Sequence, residues 1–276
     1  MPSSEIRSSD FQMKANGNPV PVWHCRVSAV PMNLGWPDHQ RRLEQTEPAS
    51  FAFFDFSAPV TVEIRVLCKR IEKVEIRPAI YGIQPLVEGD LIRFTLDKPR
   101  HFTLEINGFH NALHIFSSHI KKYEISQKDP NVIYFSPGVH QAGAIHLSSG
   151  QTVYLAPGAV VYGGIYAENA ENIRVLGRGI LDCSLFPRAD GTAEECFGMP
   201  LSATICLKNC KNVTIDGVIC RDSSMWTIVP NYCVNVSISD VKLIGLWRYN
   251  TNGIDICNSK QVRLPTAFCA LLMTEL

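Results

Sequence analysis

The sequence predicts an all-β chain in two parts, an N-terminal antiparallel β-sandwich followed by a partial right-handed parallel β-helix. Three observations predict it. Before residue 125, short runs of β-branched and aromatic residues alternate with polar ones. After residue 130, a short polar-then-alternating unit recurs along the chain. No amphipathic helical period of any length competes with either pattern.

In the first part, residues 1–125, the runs are Ser50–Ser57 (SFAFFDFS), Val60–Leu67 (VTVEIRVL), Lys73–Arg77, Leu91–Leu96 (LIRFTL), His101–Ile106 (HFTLEI) and Ala112–Phe116. Asn16-Gly17, Glu88-Gly89-Asp90 and Asn107-Gly108 mark turns between strands. Strands at this spacing, with no helix between them, suit a small antiparallel sandwich. The charged stretch Ser118–Pro130 ends at an Asp-Pro, and the domain boundary falls there.

The second part, residues 126–264, is built on a polar residue followed by apolar-polar-apolar. The unit starts at Asn131, Thr152, Asn172, Asn212, Asn235 and Gln261, at successive intervals of 21, 20, 40, 23 and 26 residues. The interval of 40 reads as two coils, the hidden one near Thr204-Ile205-Cys206-Leu207. Each unit is too short to bury its own apolar side and must stack on its neighbours. Glycines after several of the strands, among them Gly177 and Gly217, suit sharp coil corners. A propeller is disfavoured, because its blades repeat at about 40–50 residues.

Composition narrows the function. The 276 residues carry 26 Lys+Arg against 26 Asp+Glu, so no basic face is available for nucleic acid or an anionic membrane. No stretch approaches the ~20 apolar residues of a membrane-spanning helix. The polar start, Met1–Met13, lacks the apolar core of a signal peptide; a cytoplasmic location is expected, with non-standard secretion left open. The ten cysteines, from Cys25 to Cys269, form no Cys-x-x-Cys pair, and no histidine follows His146 to complete a zinc pattern with Cys206 and Cys210. They read as buried free thiols.

The coils Gly150–Asp182, Asn212–Pro230 and Leu243–Ser259 resemble the pectin-lyase-like right-handed β-helix and, within it, the family 28 glycoside hydrolases, the polygalacturonase group. The first part resembles, more loosely, the sandwich that some bacterial members carry ahead of the helix. The family's first catalytic motif, Asn-Thr/Ser-Asp-Gly-x-Asp, is matched by Asn250-Thr251-Asn252-Gly253-Ile254-Asp255. The resemblance implies hydrolysis of O-glycosidic bonds in a pectin-like polysaccharide or oligosaccharide, by inversion and with no metal or other cofactor. Asp255 matches the motif's second carboxylate, but Asn252 stands at the position of its catalytic Asp. An amide can hydrogen-bond a water but has no basic form to take its proton.

The family's later Asp-Asp, Gly-His-Gly and Arg-x-Lys are absent, and Pro265–Leu276 breaks the alternation that Gln261–Leu264 begins. Read one base out of frame from Pro265, the tail permits the string NCFLRTFDD, so residues 265–276 are expected to be a frameshifted reading of the next coil, the alternative being a genuine cap. The chain is therefore expected to be a C-terminally truncated glycosidase, inactive as written, with an exposed strand end that invites self-association.

Trp247, Arg248 and Tyr249 precede the motif and suit an acidic sugar by stacking and carboxylate pairing; packing of the helix interior is the competing reading. Asp222 and Trp226 lie one coil earlier, as a neighbouring rung or as turn cap and core. Asn250 reads equally as a substrate contact or as part of an internal asparagine stack. The candidate catalytic residues are thus Asp255 and Asn252, and the candidate binding residues Asn250, Arg248, Trp247, Tyr249 and Asp222. Ser223-Ser224 lacks a nucleophile-elbow context. Two other functions compete, a non-catalytic carbohydrate-binding or assembly β-helix and, less favoured, a polysaccharide lyase.

Overall fold

Alternation fixes the first unit. A computed structural model describes residues 7–29, 42–186, 202–248 and 250–269. Among them, one compact unit comprises 7–29 and 46–122, and the other comprises 42–45 and everything from Tyr123 onward. The first unit holds β1 (Phe11–Ala15), β2 (Asn18–Val20), β3 (Val22–Ser28), β4 (Thr46–Phe56), β5 (Val60–Val66), β6 (Val74–Arg77), β7 (Leu86–Glu88), β8 (Leu91–Leu96), β9 (His101–Ile106) and β10 (Leu113–His119). They form two five-stranded sheets, in the orders β2-β1-β5-β8-β7 and β3-β4-β10-β9-β6. Val62, Ile64 and Ile92 from one sheet and Leu104, Leu113 and Ile115 from the other are fully buried in one core. Every second side chain of β5 and β8 points inward, which is the period of a strand with one wet face. The sandwich departs from the fully antiparallel expectation at one place, where β10 runs parallel to β4. Sequence reading also passed over β1, β2, β3 and β7, although it marked the Asn16-Gly17 turn that joins β1 to β2 with both residues at positive φ.

The second unit holds β11 (Val132–Phe135), β12 (Gly138–Leu147), β13 (Thr152–Leu155), β14 (Ala159–Glu168), β15 (Glu171–Gly177), β16 (Ile180–Asp182), β17 (Ala203–Lys208), β18 (Lys211–Asp216), β19 (Ile219–Arg221), β20 (Trp226–Asn231), β21 (Val234–Ile244) and β22 (Lys260–Cys269). Every pairing among them is parallel. On a first face, β11, β13, β15, β18, β21 and β22 follow one another, and on a second, β14, β16, β19 and β21. On the third, β12, β14, β17 and β20 do so. The winding chain is a parallel β-helix, and its interior is a set of stacked ladders. Ile133, Val153, Val175, Ile215 and Ile238 pair successively on the first face. Ile145, Ile165, Ile205, Ile228 and Ile254 do the same on the third. All ten side chains lie in or against one apolar core.

Two sequence readings need adjustment. Arg174 pairs directly with Thr214, so the 40-residue interval is one coil and not two. Thr204-Ile205-Cys206-Leu207 is the third face of that coil, pairing with β14 and β20, and the extra residues are an insertion between β16 and β17. Alternation looks the same on all three faces, so period alone could not separate a new coil from a third side. In the tail, β22 continues through Pro265 to Cys269, with register shifts opposite Ser239, and pairs Phe268 with Lys242. Residues 270–276 lie outside the described residues.

The corners explain the recurrent polar residue. Asn172, Asn212, Asn235 and Gln261 each adopt positive φ, between 54° and 59°, where Asn is the tolerated non-glycine residue. Their side chains stack: Asn212 Nδ2 donates to Asn172 Oδ1 at 3.1 Å, and Asn235 Nδ2 to Asn212 Oδ1 at 2.9 Å. At the opposite corner Gly177 has φ 131°, and a Cβ there would collide with the carbonyl oxygen of Leu155 in the preceding coil. Asn212→Ala is therefore expected to destabilise the chain by about 1–2 kcal/mol, chiefly through left-handed backbone strain. Asn212→Gly should recover most of the loss in a denaturant titration. Equal losses for Ala and Gly would assign the effect to the side-chain ladder instead.

Candidate functional site

The isoleucine ladder aims the motif. Ile254 is its last member, packed against the core, so alternation turns Asp255 to the outer side of the third face. The strand is pinned to β20, with Thr227 N donating to Asn252 O at 3.0 Å and Asp255 N to Ile228 O at 2.9 Å. Thr227 Oγ1 adds a second bond to Asn252 O at 2.8 Å. Beneath it runs a chain of hydroxyls, Thr227 to Ser223 at 2.9 Å and Ser223 to Thr204 at 2.9 Å, all fully buried. Cys183 Sγ reaches Thr204 Oγ1 at 3.5 Å, and burial pushes its thiol up to about 12. Ser223 thus supports the backbone under the motif, a use that sequence reading missed. The sequence signal was the pair it links, Thr204 and Thr227, at matching positions in successive coils.

Asn252 and Asp255 meet: Asn252 Nδ2 donates to Asp255 Oδ1 at 2.9 Å. The other carboxylate oxygen, Oδ2, is buried and takes no hydrogen bond. Burial raises the Asp255 carboxyl above its ordinary range, and the Asn252 bond only partly opposes this. Asn250 has φ 59°, and its Oδ1 accepts from Trp226 Nε1 at 3.1 Å. It stands apart from the asparagine stack, whose members are Asn172, Asn212 and Asn235. Trp226 and Tyr166 pack on Ala203, Cys206 and Val229 in a small apolar cluster distinct from the helix core.

Asp222, Trp247 and Arg248 form a separate, largely buried cluster. Trp247 Nε1 donates to Asp222 Oδ1 at 2.8 Å, and Arg248 Nε lies 3.6 Å from the same oxygen. The Arg248 guanidinium, which sequence reading offers to an acidic sugar, donates to backbone carbonyls instead: Phe186 at 3.0 Å, Ser184 at 3.0 Å and Cys183 at 3.4 Å. It also sits 5.2 Å from the Trp247 ring centroid. Its role is to tie down the start of the insertion after β16. Tyr249 lies outside the described residues. Behind this cluster is a buried ion pair between Asp182 and Arg221, which occupy register-paired positions on β16 and β19. Sequence reading missed that pair, since its signal appears only once the coil register is known.

Of the described cysteines, Cys25, Cys183, Cys206, Cys210, Cys220 and Cys233 are buried and Cys68 is exposed. No group of three or more His, Cys, Asp or Glu side chains poised for a metal occurs among the described residues.

No family model and no curated protein matches this chain. Among solved structures, it is similar to Dex49A from Penicillium minioluteum, with a TM-score of 0.70 at 17% identity over 96% of this chain. The chain spans 63% of that protein's length. That likeness establishes the architecture, a sandwich followed by a β-helix, as one found in a solved protein. Two further structures match with lower scores. A putative glycosyl hydrolase from Parabacteroides merdae matches at TM-score 0.41 and 22% identity, over 50% of this chain and 74% of that one. The family 28 exopolygalacturonase of Yersinia enterocolitica matches at 0.39 and 13%, over 75% and 60%.

Burial holds the Asp222 carboxyl at about 6, against an ordinary 3.8. The folded chain therefore binds that proton more tightly than the unfolded chain. Stability from this group is complete below about pH 4 and is lost as pH rises through about 6, on the order of 2–3 kcal/mol in all. Asp222→Asn is expected to flatten that part of the pH dependence in unfolding titrations between pH 4 and 7. An unchanged slope in the variant would contradict the assignment.

Proposed function

We propose that this chain is a β-helix of the glycoside hydrolase type whose motif strand engages a polysaccharide of the pectin kind, and that its hydrolytic turnover is slow or absent. One observation carries the reading: Asp255 is an outward, partly desolvated carboxyl with a buried, unpartnered oxygen, and its one side-chain partner is an amide. A carboxyl raised above its ordinary range suits the proton-donating role in glycoside hydrolysis. The fold likeness to Dex49A and the motif Asn250–Asp255 support the glycosidase class.

Turnover by inversion needs a second carboxylate about 6.5–9.5 Å from the first, and retention needs one about 5–5.5 Å away. Asn252 offers neither the chemistry nor the separation, since its amide touches Asp255 at 2.9 Å. A carboxylate placed there would share a proton with Asp255 instead of flanking a bond. Asp222, the nearby candidate in sequence, is engaged by Trp247 and Arg248. The same contact favours the second reading, a carbohydrate-binding β-helix that does not cleave.

Polygalacturonate incubated with the wild-type chain and with Asn252→Asp tests this. The expectation is no release of reducing ends above background from either, with saturable binding of oligogalacturonide by the wild type. Release by the single variant would overturn the geometric argument. Failure of the wild type to bind would overturn the polysaccharide assignment.

A further inference from the structure

The sandwich unit holds a cleft that no part of the motif uses. It is open to solvent and encloses about 680 Å³, the size of a small-ligand site. Its lining mixes apolar side chains, among them Tyr81 and the exposed Leu86, with the charged Arg93, Asp97 and Arg100.

The two arginines differ in charge balance. Arg93 is neutralised by Glu63 and Glu88, each at 2.9 Å. Arg100 has only Asp97, at 3.5 Å and largely in solvent. The Arg100 Nε is buried and has no hydrogen-bond partner, unusual for a charged donor. Its guanidinium lies 4.8 Å from the Tyr81 ring centroid, and Ser117 fixes the Arg100 backbone by binding its N–H and its carbonyl. A guanidinium stacked on an aromatic ring and lining an open cleft beside apolar side chains suits a carboxylate carried on a partly apolar body. Gln84 and Thr95 add amide and hydroxyl groups suited to hydroxyl-bearing ligands.

We propose that this cleft is a second carbohydrate site, which takes the carboxylate of a uronic acid residue on Arg100 and its sugar ring against Tyr81 and Leu86. The inference rests on the polysaccharide reading above for the choice of a sugar acid. The sandwich would then retain the polymer while the β-helix engages it elsewhere.

The test is calorimetric titration of the full chain with trigalacturonate, with the neutral isomaltotriose and with acetate. Two variants accompany it. Arg100→Gln removes the cation, and Thr95→Glu sets a competing carboxylate on an exposed strand position without touching the core. Asn252→Asp, which leaves the cleft intact, is titrated in parallel to register any contribution from the motif strand. The expected result is saturable trigalacturonate binding, weakened at least tenfold by Arg100→Gln and by Thr95→Glu, with no binding of isomaltotriose. Binding of acetate alone would reduce the cleft to a simple anion site and overturn the sugar assignment. Trigalacturonate binding unchanged in both cleft variants, or isomaltotriose binding as tightly, would overturn the proposal. Because the readout is loss in the cleft variants, it is separable from the motif: binding that persists there but falls in Asn252→Asp would strike this inference and leave the β-helix reading standing.

Discussion

Coil-to-coil register is the constraint on which the β-helix depends. Each strand finds its hydrogen-bond partners only in the coils before and after it, about 4.8 Å away, so one residue of slip would turn every interior side chain outward. The isoleucine ladder from Ile145 to Ile254 resists such a slip on the third face, as does the Ile133-to-Ile238 ladder on the first. The direction of Asp255 is a consequence of this, set by its neighbour Ile254 and held by the bond from Asp255 N to Ile228 O. The corner asparagines complete the constraint, since left-handed residues at matching positions keep successive coils the same shape.

Polar chemistry in this helix follows the same rule. Groups at equal positions in neighbouring coils come together, as the opposite charges of Asp182 and Arg221 do, and Ser223 links the matched hydroxyls of Thr204 and Thr227. The cluster of Asp222, Trp247 and Arg248 serves the insertion after β16, because the guanidinium satisfies three carbonyls there. An arginine beside a motif is thus a structural strut in this chain. Among the described residues, Asp255 is the carboxylate with a buried oxygen that takes no hydrogen bond.

Much of this was legible in the residues. Alternation in Val60–Leu67 and Leu91–Leu96 located sandwich strands, and the Asn-led units located the first face of the helix. The third face was misread because Thr204–Leu207 carries the same alternation as a new coil, and only pairing partners tell them apart. β1 and β2 escaped notice because they are short and β2 contains Pro19; β3, Val22–Ser28, was missed although it is as long as β5. The motif gave the place of Asp255 but not the partners of Asp222 and Arg248, because a strand pattern carries no information on what an insertion will need. The cleft around Arg100 left no sequence signal at all: its residues come from separate strands and a loop.

Everything proposed for the motif strand turns on Asp255 being a carboxyl desolvated by its setting that meets a saccharide. A ¹³C NMR titration of the Asp255 carboxyl in the full chain, with and without oligogalacturonide, reads this out. The expected midpoint lies above the ordinary carboxylate value of about 3.9 and moves on adding the saccharide. A midpoint at or below that value, unmoved by the saccharide, would contradict this reading of Asp255.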